Sequence, residues 1–449
     1  MLWVSLPVVQ AEENTATLGG IEEVVAPTYC VKAIDFLGLE RTKQAILHGE
    51  LASAGVRVGK AASPEAIEAG VQKIRNLGVF REVLYDTFEV VREELQAEQD
   101  APAVAGCAGH PAARLTIQLD EKWTALPLFS FSRGGGTYRL ILGAYDVNFL
   151  GRYINLGAQY ERLGDTNSFF TWISPQRLLG RDLIPALSLG SRNRVYRLYD
   201  PDGTVAGGFL LNRFSVTGSL LKEWSDWFRT SVSLRFEDDD FSLDLLSEQA
   251  REAQIARGLP DSSQALLVGA IVTVGRLNRN NFLVDGQSLT LGVNHGNEHL
   301  GSTDAYRDLL LGYRYFKSLP LKSTIGFRLA GGFASTDAVH RRFFLGGLDA
   351  IRGFASDRFN GNNYWLSSVE FRIPSVDTRW FVLQHIFFVD AAGVSESVGD
   401  LAKLSGASAG TGIRIIVPKI QDFVVRIDYA FPLYDVAANP LGFGGGQYF

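Results

Sequence analysis

Along most of the chain, apolar and polar residues alternate one by one. INLGAQYE (154–161) puts Ile154, Leu156, Ala158 and Tyr160 on one side and Asn155, Gly157, Gln159 and Glu161 on the other. A period of two belongs to a strand, whose successive side chains point to opposite faces. The same alternation recurs in SVSLRFE (231–237), SLTLGV (288–293), TIGFRLA (324–330), SVEFRI (368–373), GIRIIV (412–417) and DFVVRIDY (422–429). One face is apolar throughout, while the other carries Arg, Glu, Asp, Asn and Gly. From Leu126 onward the pattern predicts sixteen strands, an even number, spaced about 20 residues apart.

Residues 28–124 follow a different pattern. VKAIDFLG (31–38) alternates as a strand, after which Thr42 is placed to cap a helix running to Ala54 and stopping at Gly55. A second helix is marked by Ser63 as N-cap, Pro64 at the first helical position, Ile67, Val71 and Ile74 at helical spacing, and Gly78 as a stop. A strand in VLYDTFEVVREEL (83–95), an Ala/Gly/Pro-rich excursion (97–113) and a strand in RLTIQLDEKW (114–123) complete a β-α-α-β-β order.

Two architectures fit one alternating strand. In a soluble sandwich the apolar face meets a second sheet, and such a core usually closes within ~250 residues. In a transmembrane barrel the apolar face meets lipid and the polar face a wet lumen. The connections separate them. After even-numbered strands they are short, as in DVNFLG (146–151), SLPLK (318–322), PSVDTR (374–379) and PKIQD (418–422). After odd-numbered strands several are long, and one of these (238–263) contains LDLLSEQAREAQIARG, which predicts a helix on a loop. Short turns at one end and long loops at the other favour the membrane barrel, on 125–449.

Composition agrees: 47 glycines, 29 phenylalanines and one methionine in 449 residues suit strands and turns. No apolar run reaches the ~18 residues of a membrane-spanning helix; the longest candidate, Ala265 to Val274, is too short. A net charge of −6 gives no basic face for nucleic acid, and no nucleic-acid partner is expected. No cofactor or metal motif stands out. MLWVSLPVVQA (1–11) has a short apolar stretch and a small-residue ending but no Lys or Arg, so it reads as a truncated signal peptide or as a frayed end. Cys30 and Cys107 are not at metal-ligand spacing; unpaired thiols and a disulfide both stay open.

Two motifs are decoys to be weighed. Gly406-Ala-Ser408-Ala-Gly410 matches a hydrolase nucleophile elbow, but TGIRIIV follows as a strand where a helix is required. No enzyme is expected. His295 and His299 in HGNEH suit a solvated loop tip better than a metal site.

The chain resembles the outer-membrane protein 85 superfamily, also called bacterial surface antigens, which includes BamA-like and TamA-like proteins. One POTRA domain (28–124) is similar in VKAIDFLGLERT, EAIEAGVQKIRNLGVFREV and LTIQLDEKWT. The barrel is similar in LGAYDVNFLGR (142–152), FFLGGLDAIRGF (343–354), YWLSSVEFRIP (364–374), FFVDAAG (387–393) and the terminal GGGQYF. The resemblance implies a bacterial outer-membrane barrel with its POTRA domain in the periplasm. It also implies that loop six folds into the lumen and presents Arg352, Gly353 and Phe354 to the wall. Strand parity then puts Glu370 and Arg372 inward on one strand, and Phe388 and Asp390 on the next. Arginine can fork onto carboxylates where lysine cannot, and Gly346, Gly347 and Gly353 would let the loop approach closely. The alternative is an Arg352 solvated on a surface loop.

Two glycine-rich strands must meet to close sixteen strands: FSFSRGGGTY (129–138) and the last, with Gly444, Gly445 and Gly446 before the terminal Tyr448 and Phe449, which would form the C-terminal signal. A weak seam that opens to add a client strand and a tight corner both fit the glycines. The implied function is assembly: unfolded β-barrel clients are received by the POTRA domain and inserted through the seam, with outer-membrane lipids, periplasmic chaperones and accessory lipoproteins as further partners. A polypeptide translocator of the two-partner-secretion type and a passive pore are the alternatives. Family relatives with several POTRA domains differ from this chain, which shows one. In a periplasmic setting Cys30 and Cys107 become candidates for a disulfide.

Overall fold

The computed structural model describes residues 28–89, 107, 109–134, 137–175, 183–200, 202–244, 246–257, 259–336, 338–347, 350–420, 423–434, 440–447 and 449. The signal-peptide segment 1–11, most of the excursion 97–113 and Tyr448 lie outside them.

The first unit comprises β1 (Tyr29–Leu37), α1 (Gln44–Ser53), β2 (Ala61–Ala62), α2 (Pro64–Asn76), β3 (Phe80–Glu89) and β4 (Ala112–Glu121). Its sheet runs β2-β1-β4-β3, with β1 parallel to β4 and the other pairs antiparallel. Helix α2 begins as its sequence dictates, with Ser63 accepting from the Ala66 amide at 3.3 Å and Pro64 in the first turn. Ile67, Val71 and Ile74 from α2 meet Leu47 and Leu51 from α1 over Val31, Leu115 and Ile117 of the sheet. This is a POTRA-like domain.

Two local details differ from the sequence pattern. A two-residue strand, β2, pairs with the start of β1 between the helices. Thr42 is not the cap of α1: the helix starts after Lys43, which makes no side-chain cap. Thr42 Oγ1 instead accepts from Asn148 Nδ2 at 2.8 Å, and its amide donates to Glu121. A hydroxyl that could close a helix locally is thus used over a distance.

Cys30 and Cys107 form a disulfide that ties the start of β1 to the segment before β4. Replacing both with serine is expected to cost this domain about 2–4 kcal/mol, since the bond closes a long loop. Urea unfolding of the oxidised and doubly substituted proteins, followed by fluorescence, measures the difference.

The second unit is a closed antiparallel barrel. Its strands are β5 (Ala125–Gly134), β6 (Thr137–Asp146), β7 (Ile154–Leu163), β8 (Thr166–Pro175), β9 (Leu183–Tyr199), β10 (Val205–Ser225), β11 (Phe228–Ser242) and β12 (Ser262–Asn280). They continue through β13 (Leu283–Gly296), β14 (Tyr306–Ser318), β15 (Thr324–Ser335), β18 (Asn363–Asp377), β19 (Val382–Ser395), β20 (Gly406–Ile416), β21 (Val424–Tyr434) and β22 (Leu441–Gly445). A short helix, α3 (Glu248–Arg257), rides on the β11–β12 loop. Two three-residue strands, β16 (Phe343–Leu345) and β17 (Phe359–Gly361), pair with each other inside the long β15–β18 connection.

The barrel is apolar outside and polar inside. On β19, Phe387 and Val389 are 53% and 51% exposed, whereas Phe388 and Asp390 between and beside them are buried. Val232 and Leu234 of β11 point out, while Glu237 and Asp239 are buried in the lumen. Exposed Trp224 at the end of β10, and Trp227 and Trp380 on turns, stand at the POTRA end, where amphipathic rings suit a membrane interface. No helix among the described residues is long and apolar enough to cross a membrane.

The POTRA-like domain is anchored to several barrel turns. Tyr153 donates to the Leu77 carbonyl at 3.1 Å, Lys73 pairs with Asp226 at 2.6 Å, and Lys419 reaches Asp120 at 2.8 Å. Partial burial opposes ionisation of Asp120, but Lys419 and Arg81 outweigh it and hold the carboxyl below the usual carboxylate range. A lowered folded-state value means that the contact contributes fully above the unfolded value and is lost as pH falls below about 4. Protection of the 419–420 amides, corrected for the intrinsic pH dependence of exchange, is expected to fall through that window, and Asp120→Asn to show the low protection already at neutral pH.

Candidate functional site: loop six and the barrel seam

Loop six, between β15 and β18, turns back into the barrel. Its apolar residues Ile351 and Phe354 are fully buried, packed with Leu345, Leu366 and Ala392. Phe354 also meets Phe359, with centroids 5.4 Å apart. This apolar plug fixes the arginine between its members. Gly353 has φ 90°, and a Cβ there would press on Ala430 at 3.1 Å, so the loop approaches the wall on a glycine. Gly346 likewise has φ 125°, and a Cβ there would collide with the Ala355 carbonyl oxygen.

Arg352 is 5% exposed and uses its whole guanidinium. Nε and Nη2 donate to the two oxygens of Asp390 at 2.7 and 2.8 Å, and Nη1 donates to Glu370 Oε1 at 2.7 Å. The guanidinium also lies 3.5 Å over the ring of Phe388. Solvation of Arg352 on the surface, the alternative left by the sequence, does not describe this structure. The loop glycine, the arginine, both carboxylates and Phe388 are brought together.

The cluster is larger than parity alone indicated. Arg372 Nε donates to Glu370 Oε2 at 2.9 Å, Arg414 approaches Glu370 at 3.7 Å, and Arg414 Nη1 donates to Asp428 at 2.7 Å. Three arginines and three carboxylates from loop six, β18, β19, β20 and β21 therefore share one buried patch. A second anchor holds the other flank of the loop. Arg341 pairs with Glu237, and Arg213 forks onto Asp239 with two bonds of 2.7 Å. Further along the loop, Asp357 takes Arg194 at 2.7 Å. The acidic run FEDDD (236–240) at the end of an alternating strand is the sequence signal for this second site.

The seam is the other distinctive feature. β22 meets β5 through a single register pair, Phe443 with Arg133, among the described residues. By contrast, β5 and β6 share ten pairs and β21 and β22 share five. Phe443 stacks near Phe131 at 5.4 Å, and a Cβ on Gly444 would meet Ser132 Oγ at 2.7 Å. Gly445 faces Ser130, so the glycines lie against the first strand with little side-chain packing between them.

The chain does not finish on that strand. β22 stops at Gly445, Gly446 takes φ 81°, and the end of the chain turns into the lumen. There the Phe449 carbonyl accepts from Arg372 Nη2 at 3.0 Å and its ring sits 5.8 Å from Phe316. The expectation of a terminal aromatic on the last strand is corrected: the charge of Arg372 and the buried Phe316 ring hold it inside, and this links the chain end to the loop-six cluster through Arg372.

The decoy motifs take ordinary places. Gly406, Ser408 and Gly410 all lie within β20, where Ser408 faces the lumen in register with Asp390. His295 contacts Asn297 and Arg307, and no group of metal-ligating residues occurs among the described residues.

A closed sixteen-strand barrel with a lumen-folded sixth loop and a POTRA-like domain at one mouth defines an outer-membrane β-barrel protein. Residues 148–449 match the Omp85 superfamily domain, and the chain belongs to that superfamily. BamA from Haemophilus ducreyi lacking POTRA domains 1–3 is similar in fold, with TM-score 0.56 at 16% identity, covering 93% of this chain and 84% of that one. CdiB from Acinetobacter baumannii gives TM-score 0.57 at 14% identity over 93% of this chain and 73% of that one. CdiB from Escherichia coli gives 0.53 at 13% identity over 98% and 93%. No curated protein sequence matches significantly.

Proposed function

We propose that this protein assembles other barrels in the outer membrane: its POTRA domain receives an unfolded client, and the seam between β22 and β5 opens to take the client's strands. The observation that carries this reading is the seam. Among the described residues this junction has one register pair, the fewest of any neighbouring strands in the barrel, and a strand edge released there would template strand addition. Opening there sacrifices few bonds, whereas opening between β5 and β6 would sacrifice ten register pairs. Loop six supports the same reading. Held at both flanks by buried ion pairs, it keeps the wall from β18 to β21 rigid while the seam beside it moves.

The test is reconstitution into lipid vesicles with an unfolded barrel client. Faster acquisition of the client's heat-resistant form supports assembly. Protection of a client inside the vesicle without its insertion supports a translocator, and ion conductance without either supports a passive pore.

A further inference from the structure

Between the POTRA helices and the barrel's inner wall lies a cavity of about 960 Å³. Its wall is cationic in a way the loop-six cluster is not. Arg229 on β11, Arg279 on β12 and Arg314 on β14 line it, and Arg328 on β15 stands directly opposite Arg314 in register. Like charges placed opposite each other on neighbouring strands oppose pairing. The charged groups that act on Arg314 are Arg279, Arg328 and Arg229, and among the described residues Arg314 enters no ion pair. Acidic groups are present at the edge of the cavity: Asp226 is engaged by Lys73 and Arg276, Glu223 lies opposite Arg229, and Glu50 stands on α1. None of the three is placed on the β12–β15 wall.

We propose that this vestibule binds an acidic stretch of extended polypeptide. The lining arginines are spread over β11 to β14, three strand spacings of ~4.8 Å each, or roughly 14 Å of wall. That span suits at least about four residues of extended chain at ~3.3 Å each, whereas a single small anion would be better served by convergence on one point. Guanidinium groups fork onto carboxylates, and Ser219, Ser231 and Ser288 between them offer hydroxyls to a peptide backbone. The cavity is bounded by the POTRA helices on one side and the barrel wall on the other, so its ligand arrives from the periplasmic mouth and not from the bilayer. The inference rests on the assembly reading for the origin of the peptide, a segment of the client, while the binding step is measured without a client.

The test uses the full chain in detergent with a fluorescent six-residue Asp/Ser peptide, its Lys/Ser counterpart and inorganic tripolyphosphate, by anisotropy at two salt concentrations. The acidic peptide is expected to bind with a steep salt dependence and to weaken about tenfold or more in Arg314→Gln combined with Arg229→Gln. Arg314→Lys, which keeps the charge and guards against a folding defect, is expected to retain most of the affinity. Equal binding of the basic peptide, insensitivity to the glutamine substitutions, or arginine-dependent binding of tripolyphosphate alone would each overturn the proposal. A client that inserts normally after its acidic segments are neutralised overturns this inference while leaving the assembly reading intact.

Discussion

Arg352→Ala is expected to lower barrel stability by about 3–5 kcal/mol, because removing one partner from a buried ion pair strands the other. The loss is concentrated on Asp390. All its side-chain bonds shown here come from Arg352, while Glu370 keeps Arg372 and has Arg414 nearby. Three further outcomes follow from that asymmetry. Combining Arg352→Ala with Asp390→Asn should recover part of the stability, since the stranded charge is gone. Glu370→Gln should cost more than its one bond to Arg352 suggests, because it leaves Arg372 and Arg414 facing each other. Arg352→Lys should fall between wild type and alanine, as an ammonium cannot reach both oxygens of Asp390 and Glu370 together. Gel mobility of unheated samples against temperature measures the stability, and client insertion in vesicles measures the function. Wild-type heat resistance in Arg352→Ala would show that the apolar plug of Ile351 and Phe354 and the second anchor at Arg341 hold the loop without it.

The second large effect concerns the seam. Cysteines placed at Arg133 and Phe443, the one described register pair, are positioned to form a bond across β5 and β22. Oxidised protein carrying both is expected to lose nearly all client insertion while keeping its fold, and reduction should restore it. Because reduction also opens the native disulfide between Cys30 and Cys107, the wild-type protein treated identically is the control. A bond placed between Phe129 and Leu142, which face each other inside the β5–β6 pairing, should leave insertion unchanged. Full activity of the oxidised seam variant would mean that clients enter elsewhere.

Much of this fold was written in the alternation of the strands. The period of two is a local property, so Glu370 and Asp390 could be assigned to the lumen from WLSSVEFRI and HIFFVDAAG without knowing what lay opposite. The strand number and the short turns at one end are local for the same reason. Capping chemistry at Ser63 and Pro64 was equally legible, since a cap is satisfied within three residues.

What local pattern could not supply were partners. Thr42 has the chemistry of a cap, yet Asn148, 106 positions away, claims its hydroxyl once the POTRA-like domain docks on the first barrel turn. Arg341 and Glu237 are separated by 104 positions and meet only because the barrel closes and loop six crosses it. The Phe449 ring leaves the last strand because Arg372 and Phe316 offer it a buried place that only the assembled lumen creates. The sequence by itself determined which residues face lipid and which face the lumen, because backbone geometry imposes that on each strand separately. Only the tertiary structure decided which luminal charges pair and how weakly the two ends of the barrel join, since both depend on register between strands far apart in the chain.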